Sequence, residues 1–161
     1  MPEKLKSYIA GFLDGDGCIM AQLIRRKDYI FGYQIRLSIV FYQKTKYKHH
    51  LEWLKQKLKY GYVRERNDGM SEYTIVGLTE VKNILQKLLP FLHLKKNLAK
   101  LIIIIAEMPK RPSVQQLVKY AKLVDKSAEF NYSKKRVNTT KVLLTFLKEH
   151  HFPVETESKS V

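Results

Sequence analysis

The chain has 161 residues, 45% of them hydrophobic, and a formal net charge of +15 from 30 Lys and Arg against 15 Asp and Glu. That length and apolar content fit one folded domain with a real core and exclude a disordered chain. The charge surplus points to a polyanion, most simply nucleic acid. An anionic membrane is the rival partner, but the amphipathic stretches that could anchor to it are also needed for the core.

Met1 to Lys6 is charged and lacks a secretory apolar run, and the longest apolar run, Leu101 to Ala106, is far too short to span a bilayer. The expectation is a soluble, intracellular protein. Cys18 is the sole cysteine, so no internal disulfide forms.

The elements follow in chain order. Ser7 is placed to cap a first helix that runs to about Asp14. A strand from about Cys18 to Arg26 follows, then a turn-like Lys27 to Gly32. A second strand from Tyr33 to Tyr42 alternates, with Ile35, Leu37, Ile39 and Phe41 facing the core and Gln34, Arg36, Ser38 and Val40 facing the other way. A helix from about Lys46 to Lys59 buries Leu51, Leu54 and Leu58. Tyr60 to Arg66 and Ser71 to Val76 flank the turn Asn67-Asp68-Gly69 and read as a hairpin.

Thr79 caps a helix striped with Val81, Ile84, Leu85 and Leu88. Another helix spans about Lys95 to Met108. Ser113 and Gln116 form a capping box for a helix carrying Leu117, Val118, Ala121 and Val124. The last helix, about Thr139 to His150, carries Val142, Leu143, Phe146 and Leu147. Residues 1–152 read as a single domain and 153–161 as a frayed tail. The order of elements describes an α+β fold with a four-stranded antiparallel sheet backed by helices.

The most informative stretch is Ile9-Ala10-Gly11-Phe12-Leu13-Asp14-Gly15-Asp16-Gly17. It reads as an apolar helix ending in two aspartates, with Gly17 as a left-handed cap. The last carbonyls of a helix carry partial negative charge, which disfavours an anion and suits a cation. Helix-end carbonyls beside a carboxylate make a hard-oxygen site for Mg²⁺ or Ca²⁺. Gly11 and Gly15, with Ala10 beside them, form a face that lets another backbone approach closely.

This stretch resembles the signature of the LAGLIDADG homing endonucleases, and all nine positions align without a gap. Ala10, Gly11, Asp14, Asp16 and Gly17 match outright. The resemblance extends over roughly Ser7 to Leu147 and implies the single-motif, homodimeric type. It implies an αββαββα core with a saddle-shaped sheet, plus extra C-terminal helices. It also implies that Asp16 and the Gly15 carbonyl bind the catalytic metal, while Asp14 is structural. Two copies packed through Ala10, Gly11, Asp14 and Gly15 would bring two Asp16 carboxylates together.

Gln43-Lys44-Thr45 is similar to a family segment whose glutamine lies near the active-site water, so Gln43 is the match. Pro90-Phe91-Leu92-His93-Leu94-Lys95 resembles one whose last residue, here Lys95, enters the active site. Related enzymes often place an arginine four residues after the glutamine. Here that position is Tyr47, which leaves the cationic task to Lys46 or Lys48. Gly61 to Arg66 resembles a DNA-contacting strand.

For DNA reading the nominated residues are Gln22, Arg26, Tyr29, Gln34, Arg36, Tyr62, Arg64, Arg66, Glu72 and Thr74, since Arg suits guanine and Gln adenine. Ser133 and Lys134 belong to a segment similar to the family's backbone-contacting loop. The histidine pairs His49-His50 and His150-His151 lack zinc spacing and read as solvated helix-end residues. Cys18 reads as a small sheet residue.

The resemblance implies a site-specific double-strand DNA endonuclease of intron homing. It would cut a long pseudo-palindromic target with Mg²⁺, with Mn²⁺ substituting and Ca²⁺ binding without efficient cutting. For a eukaryotic source an organelle is the expected compartment. The rival readings are a nucleic-acid-binding module of the same fold that does not cut, either an RNA maturase or a DNA-binding regulator, and a ribosome-associated protein suggested by charge alone.

Overall fold

The computed structural model describes residues 1–131 and 136–155. Helix α1 spans Glu3–Asp16, and β1 (Gly17–Arg25) and β2 (Tyr33–Lys44) follow. After a 3₁₀ turn at Thr45–Tyr47 come α2 (Lys48–Leu58), β3 (Tyr62–Glu65), β4 (Met70–Val76) and α3 (Leu78–Leu88). A second 3₁₀ turn at Leu89–Phe91 leads to α4 (Lys96–Ile105), α5 (Val114–Ser127) and α6 (Thr140–Glu149). The strands form one sheet in the order β1-β2-β4-β3. The chain divides into two compact units, Met1–Ala21 with Arg36–Glu107, and Gln22–Ile35 with Met108–Val161. No described helix is long and apolar enough to cross a membrane.

The order of elements and the α+β class match the expectation, but several boundaries move. Helix α1 begins at Glu3, not at Ser7, and continues to Asp16. Pro2 precedes it in extended conformation and Glu3 puts an anion in the first turn, which favours that start over a serine cap. Gly17 is extended (φ −101°, ψ 174°), not left-handed, because the chain passes straight into β1. Its requirement for glycine is steric. A Cβ there would lie 2.6 Å from Leu13 Cδ1 and 2.9 Å from Leu13 Cα.

The N-cap of α3 is Gly77, not Thr79. Helix α4 stops at Ile105, short of Met108. At α5 the capping box holds as expected, with the Gln116 N–H donating to Ser113 Oγ at 3.1 Å and the Ser113 N–H to Gln116 Oε1 at 2.9 Å. Thr139 caps α6.

In the first unit, the pleat of β2, β4 and β3 separates two faces. Phe41 pairs with Tyr73, which pairs with Val63, and the Phe41 and Tyr73 rings stack at 5.8 Å. That face is core, and Leu37, Ile39, Ile75, Leu51, Leu54 and Leu85 are buried with it. Tyr42 pairs with Glu72 and Glu72 with Arg64; Val40 pairs with Thr74 and Thr74 with Tyr62. This second face is less open than alternation alone implies. Ser38, Val40 and Thr74 are buried because the neighbouring strands crowd them. The exposed residues cluster on the edge strand β3 and its turn.

Candidate active site and nucleic-acid interface

The site is built around the end of α1. Asp14 and Asp16 are two residues apart on a helix, so they point to different sides. Asp14 turns inward and is only 9% exposed. Its Oδ2 accepts the His93 N–H at 2.7 Å and the Leu94 N–H at 3.3 Å, and its Oδ1 accepts the Lys95 N–H at 3.0 Å. These donors immediately precede α4, whose N-cap, Lys95, supplies no side-chain cap of its own. Asp14 thus fixes the turn into α4 from another helix, where its charge also suits the helix dipole. The structural role implied for Asp14 has this physical form.

The Lys95 ammonium donates to the Asp14 carbonyl at 2.6 Å. A cation on the last turn of α1 offsets the partial negative charge gathered there. The thiol of Cys18, the second residue of β1, is pushed up by burial and pulled down less strongly by Lys95. It therefore stays protonated and serves as a small sheet residue.

Asp16 faces outward. It is exposed, and its carboxylate has no ion-pair partner among the described residues. Gly11 and Gly15 are exposed as well, and a Cβ on either would meet nothing within 4 Å. Ala10, nominated for the same face, is fully buried, as Asp14 nearly is. Towards its C-terminal end the open surface of α1 is therefore Ser7, Tyr8, Gly11, Gly15 and Asp16. Leu94 beside Lys95 is 82% exposed. No sequence signal marked Leu94, because the Asp14 clamp that helps fix its loop comes from far along the chain.

No group of three or more metal-type side chains lies together among the described residues. The donors fit a hard cation in kind, with an exposed carboxylate and the helix-end carbonyl of Gly15, but not in number. One protomer gives Mg²⁺ too few ligands. A second copy of Asp16 and phosphate oxygens would complete the set.

Gln43 lies at the end of β2, half-buried, and its Oε1 accepts the Lys44 N–H at 3.0 Å. At position 47, where the family pattern often has an arginine and this chain has Tyr47, Lys46 lies over the ring at 4.9 Å. Lys48 is bound to Glu65 at 3.1 Å. Of the two lysines, Lys46 is thus the one beside that position and outside that ion pair.

His50 corrects a reading from sequence. It is not simply solvated. Its Nε2 meets Tyr8 Oη at 2.9 Å, and its ring stacks on Trp53 at 5.3 Å and meets Phe12 at 5.4 Å. Burial holds its pKa below the usual histidine range, aided by His49. The neutral ring therefore belongs to an aromatic cluster on the α1 surface.

The nominated DNA readers fall in both units. In the first unit, Tyr62, Arg64 and Arg66 are exposed, and Arg36 is half-buried. Arg64 bonds Glu72 at 2.5 Å and Arg66 bonds Asp68 at 2.7 Å. Glu72 keeps only 13% of its side chain exposed, so it holds Arg64 more than it offers itself. Thr74 is 5% exposed, which leaves little of it for a ligand. In the second unit, Arg26 grips Asp28 with two bonds of 2.9 and 2.8 Å and donates to Gln34 at 3.3 Å. Gln22 and Tyr29 are exposed, and Gln34 is half-buried. Ser133 and Lys134 lie outside the described residues.

The LAGLIDADG endonuclease family model matches residues 9–100. The chain is 43% identical over 131 residues to DNA endonuclease I-CvuI of Chlorella vulgaris, covering 81% of each protein. It is 35% identical over 142 residues to DNA endonuclease I-CreI of Chlamydomonas reinhardtii, covering 87% of this chain and 86% of that one. A crystal structure of I-CvuI with its target and 2 mM Ca superposes with a TM-score of 0.90 at 38% identity, over 94% of this chain and 97% of the other. A second, with the I-CreI target and 2 mM Mg and its DNA not cleaved, gives 0.91 at the same identity, over 94% and 98%. The residues at the α1 tip therefore sit in a fold shared along almost the full chain, and the protein belongs to the LAGLIDADG endonuclease family.

Proposed function

We propose that the protein is a site-specific double-strand DNA endonuclease that works as a homodimer with a divalent metal. The observation that carries this is the division of labour at the α1 tip. Asp14 is spent inside the fold, while Asp16 stands exposed beside the open Gly11 and Gly15 positions. An exposed acid at a helix C-terminus is unfavourable on its own. A shared cation between two such tips removes the penalty.

Mg²⁺ is the proposed ion, with Mn²⁺ able to replace it and Ca²⁺ holding the complex without efficient cutting. Bound there, it would supply positive charge to the phosphate undergoing in-line displacement by water. Asp16 and the Gly15 carbonyl would hold it. Gln43 would orient the water, and Lys95 would add positive charge beside the phosphate. The basic sheet face would lie in the major groove and read base edges, with a long pseudo-palindromic target matching a two-fold protein. An organelle is the proposed compartment, since both relatives come from green algae.

Incubation with a randomised duplex library, with and without Mg²⁺, tests the reading. Selective, Mg²⁺-dependent double-strand cuts are expected. Selective binding without cuts would indicate a silent binding module, and preference for RNA a maturase.

Gly11→Leu is expected to break the dimer, because the leucine lies where two backbones would meet and the protomer itself has room for it. Light scattering at working concentration reads this, and an unchanged dimer would place the interface elsewhere. Arg64→Ala is expected to cost about 1–3 kcal/mol at the cognate site and to relax preference at particular base pairs. In the Arg64–Glu72 pair the arginine side chain stays 63% exposed, so the pair orients it without withholding it from a base. Binding across single-base variants checks this. An equal loss at every site would make the sheet a cationic platform only.

A further inference from the structure

From the loop between β1 and β2 we infer that Ile30 is a specificity residue that packs against a thymine methyl of the DNA target; this rests on the DNA-binding reading above.

The loop is tightly built at its base. The Arg26 N–H donates to the Gly32 carbonyl at 2.8 Å, and the Gly32 N–H to the Tyr29 carbonyl at 2.9 Å. Arg25 Nη1 donates to the same Gly32 carbonyl at 2.5 Å, and its guanidinium lies over the Phe146 ring at 4.3 Å. Gly32 adopts φ +73°, and a Cβ there would strike Phe146 at 2.5 Å. The loop base is thereby pinned to α6 within the second unit, and Phe31 adds an edge contact to Phe152 at 5.1 Å.

Such anchoring fixes what the tip presents. Ile30 is 83% exposed and Tyr29 next to it 41%. One exposed apolar residue is ordinary. This one, however, borders a groove of about 290 Å³ that Phe31, Tyr33 and Leu117 also line. The other lining residues include the exposed cations Lys110 and Arg111. Lys27 adds a third exposed cation on the loop, while its one acid, Asp28, is taken up by Arg26. The surroundings of this apolar tip are therefore net positive, which suits a polyanion better than an apolar peptide.

DNA offers a short aliphatic side chain one apolar feature in the major groove, the thymine C5-methyl. Arg26 and Gln34, bonded to each other at 3.3 Å, place hydrogen-bonding groups near the loop base. Ile30 would add a reading that hydrogen bonds cannot make. Lys110 and Arg111 would hold the adjoining phosphates, which positions the loop without specifying sequence.

The test starts from duplexes selected by the wild-type chain from a randomised library with Ca²⁺ present, with the selection repeated for Ile30→Ala. Wild type is expected to enrich thymine at one position per half-site, and Ile30→Ala to lose that preference alone. Replacing that thymine by uracil, which removes only the methyl, is expected to weaken wild-type binding about fourfold, the worth of one methyl taken out of water. The same replacement should leave Ile30→Ala binding unchanged. Because the side chain is almost fully exposed, the variant keeps the fold. Lys110→Ala should instead weaken all duplexes alike and reduce the salt dependence.

The inference is overturned if both proteins select the same bases, or if uracil affects both equally. A change of self-association with unaltered base preference would also overturn it, by making the tip a protein contact. In each of these cases wild-type cutting of the selected duplex leaves the endonuclease reading standing. Failure of wild type to select or cut any duplex would remove that reading itself.

Discussion

Asp16→Asn is expected to keep the fold and duplex binding and to abolish cutting. Asparagine has the shape of aspartate, and the Asp16 side chain is exposed with no ion pair to a described residue. Stability should therefore change by no more than about 0.5 kcal/mol, the usual range for surface substitutions. What disappears is the carboxylate proposed to be each protomer's anionic metal ligand. An amide oxygen binds a hard cation more weakly and leaves its charge uncompensated. A metal supplies several kcal/mol of stabilisation to a phosphoryl-transfer transition state, so the rate should fall about a thousandfold or more. Single-turnover cleavage of the selected duplex with Mg²⁺ reads the chemistry, and gel-shift in Ca²⁺ reads binding. Cutting within tenfold of wild type would remove Asp16 from its proposed role.

Asp14→Ala is expected to have the opposite profile, a large loss of stability. The Asp14 carboxylate accepts three backbone N–H groups and holds the turn that leads into α4. Alanine would strand these donors in a part-buried place, and each stranded buried donor costs about 1–3 kcal/mol. Water will reach some of them, so a total of about 3 kcal/mol is expected, above the usual effect of losing a helix cap. Equilibrium denaturation at one fixed protomer concentration measures it, because dimerisation otherwise shifts the apparent stability. Asp14→Asn retains one acceptor oxygen and should lose less. A cost below about 1 kcal/mol for alanine would show that water or other groups satisfy these three donors. Cleavage should weaken too, since the Lys95 ammonium and the α1 tip are held by the same clamp.

Much of this protein is legible in its sequence. The alternation of Ile35, Leu37, Ile39 and Phe41 marks the core face of β2, because a strand turns every second side chain the same way. Asn67-Asp68-Gly69 marks the hairpin turn, and Ser113 with Gln116 marks the start of α5, because these are local hydrogen-bonding devices. The run from Ile9 to Gly17 aligns with the family signature without a gap, and Ala10, Gly11, Asp14, Asp16 and Gly17 match it outright. The +15 charge announces a polyanion.

What only the tertiary structure decided involves groups distant in the chain. The signature contains two aspartates, and their opposite fates follow from packing. Asp14 meets backbone N–H groups some 80 positions later, and no local pattern encodes that encounter. The turn that leads into α4 is held the same way, from α1. Ser38, Val40 and Thr74 sit on the nominally polar face yet are buried, because alternation assigns a side but not the cover supplied by adjacent strands. His50 reads as a solvated helix-end residue until Tyr8, Phe12 and Trp53 close around it. Ile30 is the converse. In the sequence it is one more apolar residue in a turn, and only the pinned loop around Gly32 turns it out into solvent. Local chemistry thus wrote the elements and the acid motif, while long-range packing decided which of the motif's acids remained free to act.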